Sequence, residues 1–183
     1  MKATLTGPGT KGKLKPIENC YVIITGPSSK ERKITFNNLP DISDTKSASY
    51  TDETVIGRGS PVKTYSQSDN RAINVTIHFL AVDKTDLEEN LKSLRAIQSA
   101  VYPREGEGGA PFIPPPVCKI KCGKLLSDNE ELCVLLKSYS VKFPTDTSWN
   151  AESYIPYKFD VDTSWEVVYS SAELPGQEKI YSF

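Results

Sequence analysis

Apolar and polar positions alternate most regularly from Tyr157 to Tyr169. Tyr157, Phe159, Val161, Thr163, Trp165, Val167 and Tyr169 share one face, and Lys158, Asp160, Asp162, Ser164 and Glu166 share the other. A period of two is the mark of a strand with one buried face. At roughly 3.3 Å per residue this strand spans about 43 Å, enough to project beyond a small core or to bend around it. Arg71 to Val82 repeats the pattern, with Ile73, Val75, Ile77 and Phe79 alternating with Asn74, Thr76 and His78. Leu132 to Phe143 is a third long strand, with Cys133, Leu135, Tyr139, Val141 and Phe143 on one face and a first half that is apolar on both. Following each other directly, it and the Tyr157 strand are expected to pair antiparallel.

Shorter strands are predicted at Cys20 to Thr25, Lys33 to Phe36 and Val117 to Cys122. One segment changes period: in TDLEENLKSLRAIQSAVY, Leu87, Leu91, Leu94, Ile97 and Val101 form a single helical stripe. Thr85 and Glu88 have capping-box spacing at its start, and Pro103 ends it. Asn37 to Asn70 is polar and unpatterned, and Gly57, Gly59 and Pro61 mark it as a shaped loop or bulged edge strand. The order strands, helix, strands, without βαβ repetition, predicts an α+β fold, mostly an antiparallel β-sheet or open β-barrel with one packed amphipathic helix. The expected organisation is a flexible basic arm at 1–16, a single α+β domain at 17–172 with an extended loop at 103–116, and a C-terminal tail at 173–183.

Composition narrows the function classes. The 183 residues carry 22 Lys and Arg against 23 Asp and Glu, so no global charge argues for nucleic acid. The distribution is polarised: the first 33 residues hold seven basic and two acidic side chains, and residues 144–183 hold two and seven. Such a chain is suited to mate head to tail with copies of itself or with oppositely charged neighbours. No run of about 18 apolar residues and no signal-peptide core is present, which reads as a soluble protein made in a cytoplasm. Cys20, Cys118, Cys122 and Cys133 admit two disulfides or a zinc site, but the Cys118-x3-Cys122 spacing is not the close pair of a structural zinc site; buried free thiols are expected.

No reactive constellation emerges. His78, the only histidine, sits on a polar strand face, and the sequence places no nucleophile, orienting acid or oxyanion site near it. Asp160, Asp162 and Glu166 share one strand face, which reads as solvated or interfacial. Gly57–Gly59 and Gly106–Gly109 lack the strand-to-helix context of a phosphate loop, although Arg58 and Arg104 are each placed to pair with a partner's carboxylate. Lys11, Lys13 and Lys15 lack interleaved aromatic residues, so they read as a solvated arm. No enzyme activity, cofactor, metal, nucleic-acid or membrane partner is expected. Between helix and strands lies PREGEGGAPFIPPP, glycine-softened at one end and proline-stiffened at the other, with Phe112, Ile113 and Pro114 at its apolar turn. It reads as an ordered arm that docks on a neighbour.

Several features in order resemble one family. They are Gly57-Arg58-x-x-Pro61-x-x-x-Tyr65, an alternating strand ending in Phe79-Leu80, an Asp-Lys-Thr-Asp-Leu helix start, a Pro-Pro-Val strand entry and two final long strands. From about Ile34 to Tyr169 the chain resembles the tail-hub connector of contractile-tailed phages and related injection machines, a family whose members often carry a LysM domain. The resemblance implies a structural subunit of the virion tail baseplate, made in the host cytoplasm and present in several copies in a ring. Its partners would be hub, tube, sheath-initiating or wedge proteins. Arg58, Pro61 and Tyr65 would shape the loop, and Pro115 and Pro116 would guide the chain back into the sheet. Cys122-Gly123 stands where the family often has Trp-Gly, and no LysM domain is expected within these residues. Two alternatives stay open: a glycan- or peptide-binding module using Trp149 and Tyr154, and a tail tube or tube-adaptor protein.

Overall fold

Two sheets and one helix form in the computed structural model, which describes residues 17–25, 31–103, 112–127 and 130–169. The elements are β1 (Cys20–Thr25), β2 (Glu31–Thr35), β3 (Asp41–Thr45), β4 (Ala48–Glu53), β5 (Val62–Ser68), β6 (Ala72–Leu80), α1 (Lys84–Ser99), β7 (Cys118–Cys122), β8 (Leu132–Lys142) and β9 (Lys158–Val167). The predicted arm at 1–16, the tail at 173–183 and residues 104–111 of the glycine-rich loop lie outside the described residues.

Seven strands make one antiparallel sheet in the order β2-β1-β7-β8-β9-β6-β3, and β4 pairs with β5 in a separate ribbon. Flat, this sheet would separate its two edge strands by about 29 Å, six spacings of ~4.8 Å. Yet β2 and β3 are joined only by Phe36 to Pro40, and the six steps from Thr35 to Asp41 reach ~21 Å at most. The sheet must therefore curl until its edges approach. Its ladder stays open between β2 and β3, so the fold is α+β with an open, curled sheet, not a closed barrel.

The concave side holds one core, built by the alternation read from the sequence. Phe159, Val161, Thr163, Trp165 and Val167 of β9 are buried, as are Ile73, Val75, Ile77 and Phe79 of β6, and β9 runs for ten residues, not the thirteen of the alternation. Leu94 and Ile97 of α1 bury on it, Leu91 and Val101 pack at the margin, and Leu87 is buried as well. A hydrogen-bond chain runs through this core: Trp165 Nε1–H donates to Thr163 Oγ1 at 2.7 Å, and Thr163 donates to the Val75 carbonyl at 2.7 Å. The indole and the hydroxyl thus each have a partner.

Three local readings change. The helix starts at Lys84 with Asp83 as its N-cap, and Asp86 accepts from the Val82 and Asp83 N–H groups, two residues ahead of the predicted Thr85–Glu88 box. In β8 a bulge between Leu136 and Ser138 inserts one residue and inverts the phase. Leu132, Val134 and Leu136 point inward before it and Tyr139 and Val141 after it, so Cys133 and Leu135 face out instead of in. Residues 37–70, read as a shaped loop or bulged edge strand, hold three strands, the edge strand β3 and the β4–β5 ribbon with its bulge at Ser49–Tyr50.

The antiparallel order gives the sheet two distinct ends. At one, β3 finishes and β6 begins, with Thr45 opposite Ala72, and the β4–β5 hairpin is inserted between them. At the other, Leu80 lies opposite Lys158 and α1 begins. Eight steps along β6 separate the ends by about 27 Å at ~3.4 Å per residue.

Candidate interaction surfaces

At the first end the hairpin stands clear of the core. Every residue of β4 is exposed, and so is every residue of β5 except half-buried Val62. An isolated two-stranded hairpin is marginal in water, so its shape depends on cross-strand pairs and on its root. Tyr50 meets Tyr65 edge-on with ring centroids 5.8 Å apart, and Lys63 Nζ lies 2.9 Å from Asp52 Oδ1. On the opposite face the hydroxyls of Thr51 and Ser66 are 2.6 Å apart. Each such contact contributes about 1 kcal/mol or less. The tip turn is closed by the Arg58 N–H donating to the Val55 carbonyl at 3.1 Å, and Gly57 supplies the positive φ of 88° that the turn requires. Val55 and Ile56 are bare at this tip, with Ile56 fully exposed.

The root is better secured. Arg71, 5% exposed, donates from Nε to Asp44 Oδ1 at 2.9 Å and to Oδ2 at 3.0 Å, and from Nη2 to Asp44 Oδ2 and, at 3.0 Å, to the Leu126 carbonyl. The hydrogen bonds to Asp44 hold the guanidinium above its ordinary pKa against the opposing effect of burial. The Asp69 N–H donates to the Ser47 carbonyl at 2.9 Å, Ser47 Oγ donates to the Asp69 carboxylate, and Thr45 Oγ1 donates to the Ala72 carbonyl at 3.2 Å. The two chains leaving for the hairpin are thus tied together at its base.

The structure collects Arg58, Pro61 and Tyr65 into this hairpin, the first two in its tip turn and the third in β5. Phe112, Ile113 and Pro114 are exposed in the chain leading into β7. Trp149 and Tyr154 share the loop between β8 and β9 at the helix end, 41% and 79% exposed. Trp149 Nε1–H donates to the Pro144 carbonyl at 3.2 Å, and Tyr154, at φ 53°, is held by its N–H donating to the Asn150 carbonyl at 2.9 Å. The loop is joined to α1 by Lys84 Nζ, 2.7 Å from Glu152 Oε2. Lys11, Lys13, Lys15 and Arg104 lie outside the described residues.

The carboxylates of β9 are cross-strand partners. Asp160 lies 2.7 Å from His78 Nδ1, Asp162 lies 2.9 Å from Lys142 Nζ, and Glu166 lies 2.8 Å from Lys137 Nζ. Lys142 and then Thr76 hold Asp162 below the usual carboxylate range, and Lys137 and then Asn70 do the same for Glu166. None of the four cysteines is in a disulfide, but only Cys20, Cys118 and Cys122 are buried. Cys133 is exposed because the β8 bulge resets the face on which it lies, so the four thiols do not converge. Burial pushes the Cys122 thiol up to about 12, with Cys20 beside it.

Sequence reasoning missed a cleft of about 510 Å³ at the helix end, between β2, the end of β6 and the first half of α1. It also passed over Val55-Ile56, an apolar pair beside Gly-Arg-Gly in otherwise polar sequence, which was the available signal for the tip. Among the described residues no helix is long and apolar enough to cross a membrane. No protein-family model matches the chain, and no curated protein matches it in sequence.

Proposed function

We propose that this chain is a structural subunit of a contractile tail baseplate, connecting the central hub or tube to surrounding baseplate proteins through protein–protein contacts. The observation that carries the reading is the hairpin, an apolar tip held away from the core on a ribbon whose root is locked by the ion pair of buried Arg71 with half-exposed Asp44. Isolated exposed apolar side chains are ordinary, but two in sequence on a projecting turn form a compact contact that gains free energy when a neighbour covers them. The curled sheet and α1 act as a bracket. The hairpin, the Phe112–Pro114 segment and the basic arm with Lys11, Lys13 and Lys15 act as fasteners that bury apolar tips inside polar rims. The role needs neither a cofactor nor catalysis.

The test is incorporation. Tagged full-length protein should co-purify with tail particles and occupy ordered density in a side-chain-resolved electron-microscopy map, in several copies around the hub. A chain that stays a free monomer beside purified tails refutes the reading. The same map separates a hub connector from a tube or tube-adaptor protein by position. Removing residues 2–15 should leave the domain folded and lower particle yield; unchanged yield and sedimentation would remove the arm from the assembly. Exposed Trp149 and Tyr154 in one ordered loop favour the glycan- or peptide-binding alternative, which requires saturable heat in calorimetric titration with cell-wall glycans.

A further inference from the structure

Cys20 and Cys122 face each other directly, one at the first residue of β1 and the other at the last of β7. Both side chains belong to the core, at 6% and 1% exposure, and each thiol is within hydrogen-bonding reach of the other. Backbone hydrogen bonds show which kind of cross-strand pair this is. The Cys20 N–H donates to the Ile17 carbonyl at 3.0 Å, the Cys20 carbonyl accepts from the Phe36 N–H at 3.0 Å, and the Cys122 carbonyl accepts from the Leu125 N–H at 3.0 Å. The strands are joined at this end by the Gly123 N–H, which donates to the Asn19 carbonyl at 2.7 Å. Cys20 and Cys122 are thus a non-hydrogen-bonded pair, the kind that holds its Cα atoms about 4.5 Å apart with the side chains at their closest. That separation lies within the ~4.4–6.8 Å that a disulfide spans.

The other combinations are ruled out by the same register. Cys118 and Cys122 lie four steps apart on one strand, about 13 Å, and Cys118 is as many steps out of register with Cys20. Cys133, opposite Lys119, is exposed on the other face of the sheet. We propose that Cys20 and Cys122 are a latent disulfide, a site of reversible oxidation by a small-molecule disulfide such as oxidised glutathione. The Cys20 thiolate attacks one sulfur of the oxidant and releases one glutathione thiol. The Cys122 thiolate then displaces the second glutathione, so the protein gains one S–S bond, two thiol protons pass to the two departing glutathiones, and the oxidant is reduced by two electrons. Burial keeps both thiols protonated, so the reaction proceeds through brief openings of the β1 end and is slow. The bond closes a loop of about 100 residues in the unfolded chain and ties β1, which follows the segment bearing Lys11, Lys13 and Lys15, to β7. The inference stands on strand register and is independent of any role in a tail.

The test uses the full chain carrying Cys133→Ser, so that no outward thiol competes, incubated overnight in oxidised glutathione without denaturant. Intact mass should fall by two hydrogens with no glutathione retained, and peptide mapping should join the peptides that contain Cys20 and Cys122. The thermal midpoint should rise by at least about 4 °C and return on adding dithiothreitol. Adding Cys118→Ala should leave the bond and the rise in place. Adding Cys122→Ala should abolish both, and the peptide map of the parent chain decides the pairing even if that variant folds poorly. A parent chain that keeps its thiols reduced, retains glutathione as a mixed disulfide, or forms a bond through Cys118 overturns the proposal. So does a Cys20–Cys122 bond that leaves the midpoint unchanged or lowers it, since native geometry would then not accommodate the bond.

Discussion

Replacing Asp44 by alanine should cost much more stability than replacing its partner Arg71 by methionine. In Asp44→Ala the guanidinium, 5% exposed in the intact protein, keeps only its bond to the Leu126 carbonyl. Removing the partner of a buried charge costs about 3–5 kcal/mol where water cannot reach it, and the part-exposed place of Asp44 puts this variant at the low end of that range. In Arg71→Met the buried stem keeps most of its apolar volume. The surviving Asp44 side chain is 38% exposed and can be hydrated, so the loss is the net hydrogen bonding, about 1–2 kcal/mol. The double variant should resemble Arg71→Met, because removing Asp44 costs little once no buried cation needs it. Urea unfolding followed by tryptophan fluorescence measures all four corners of the cycle, and in a domain of this size about 1 kcal/mol moves the thermal midpoint by ~2–4 °C. The reasoning fails if Asp44→Ala lies within about 1 kcal/mol of wild type or if Arg71→Met is the worse of the two.

Three other outcomes are expected. Thr163→Val should destabilise by about 1–3 kcal/mol, since it strips the acceptor from a buried indole N–H and the donor from the Val75 carbonyl; equilibrium unfolding checks this, and a neutral result would mean the indole has another partner. Cys133 should react with a thiol reagent at once in the folded protein while Cys20 and Cys122 react only on unfolding, because burial holds both thiols protonated, Cys122 up to about 12. Because that folded value is raised, the Cys122 contribution to stability is complete below the unfolded thiol range and disappears as pH climbs from there toward 12. Asp162 and Glu166 have the opposite sign: their depressed values stabilise above the unfolded carboxylate range, about pH 4, and that stability is lost as pH falls below it. Thermal melts from pH 7 to 3 should be flattened by Asp162→Asn, and a slope identical to wild type would discount the Lys142 pair.

Strand alternation and the helical stripe were legible because burial of one face imposes a period that a sequence displays directly. The β6 and β9 cores followed from it, as did α1 and the antiparallel β8–β9 pair. Phase was less secure where a bulge intervened, since one extra residue near Lys137 inverts the alternation without any compositional mark, and Cys133 moved to the outside for that reason. The hairpin escaped a reading based on hydrophobic period because both its faces are solvated. Its stability comes from Tyr50–Tyr65, Asp52–Lys63 and the Asp44–Arg71 root, pairs that only strand register brings together. Asn90 shows the same limit: a polar residue on the helix stripe is buried because its Nδ2 reaches the Leu80 carbonyl at 3.1 Å.

By itself, the chain's order of residues determined which segments extend, which one coils into a helix and which side chains leave water, because those outcomes depend on local geometry and one-dimensional periodicity. The tertiary structure decided how far the sheet curls, which strands become edges, and that an apolar hairpin tip and the helix-end cleft stand at opposite ends of one subunit. Those depend on long-range pairing: the short link from β2 to β3 bends the sheet, and the single direction of β6 carries the hairpin and the cleft apart.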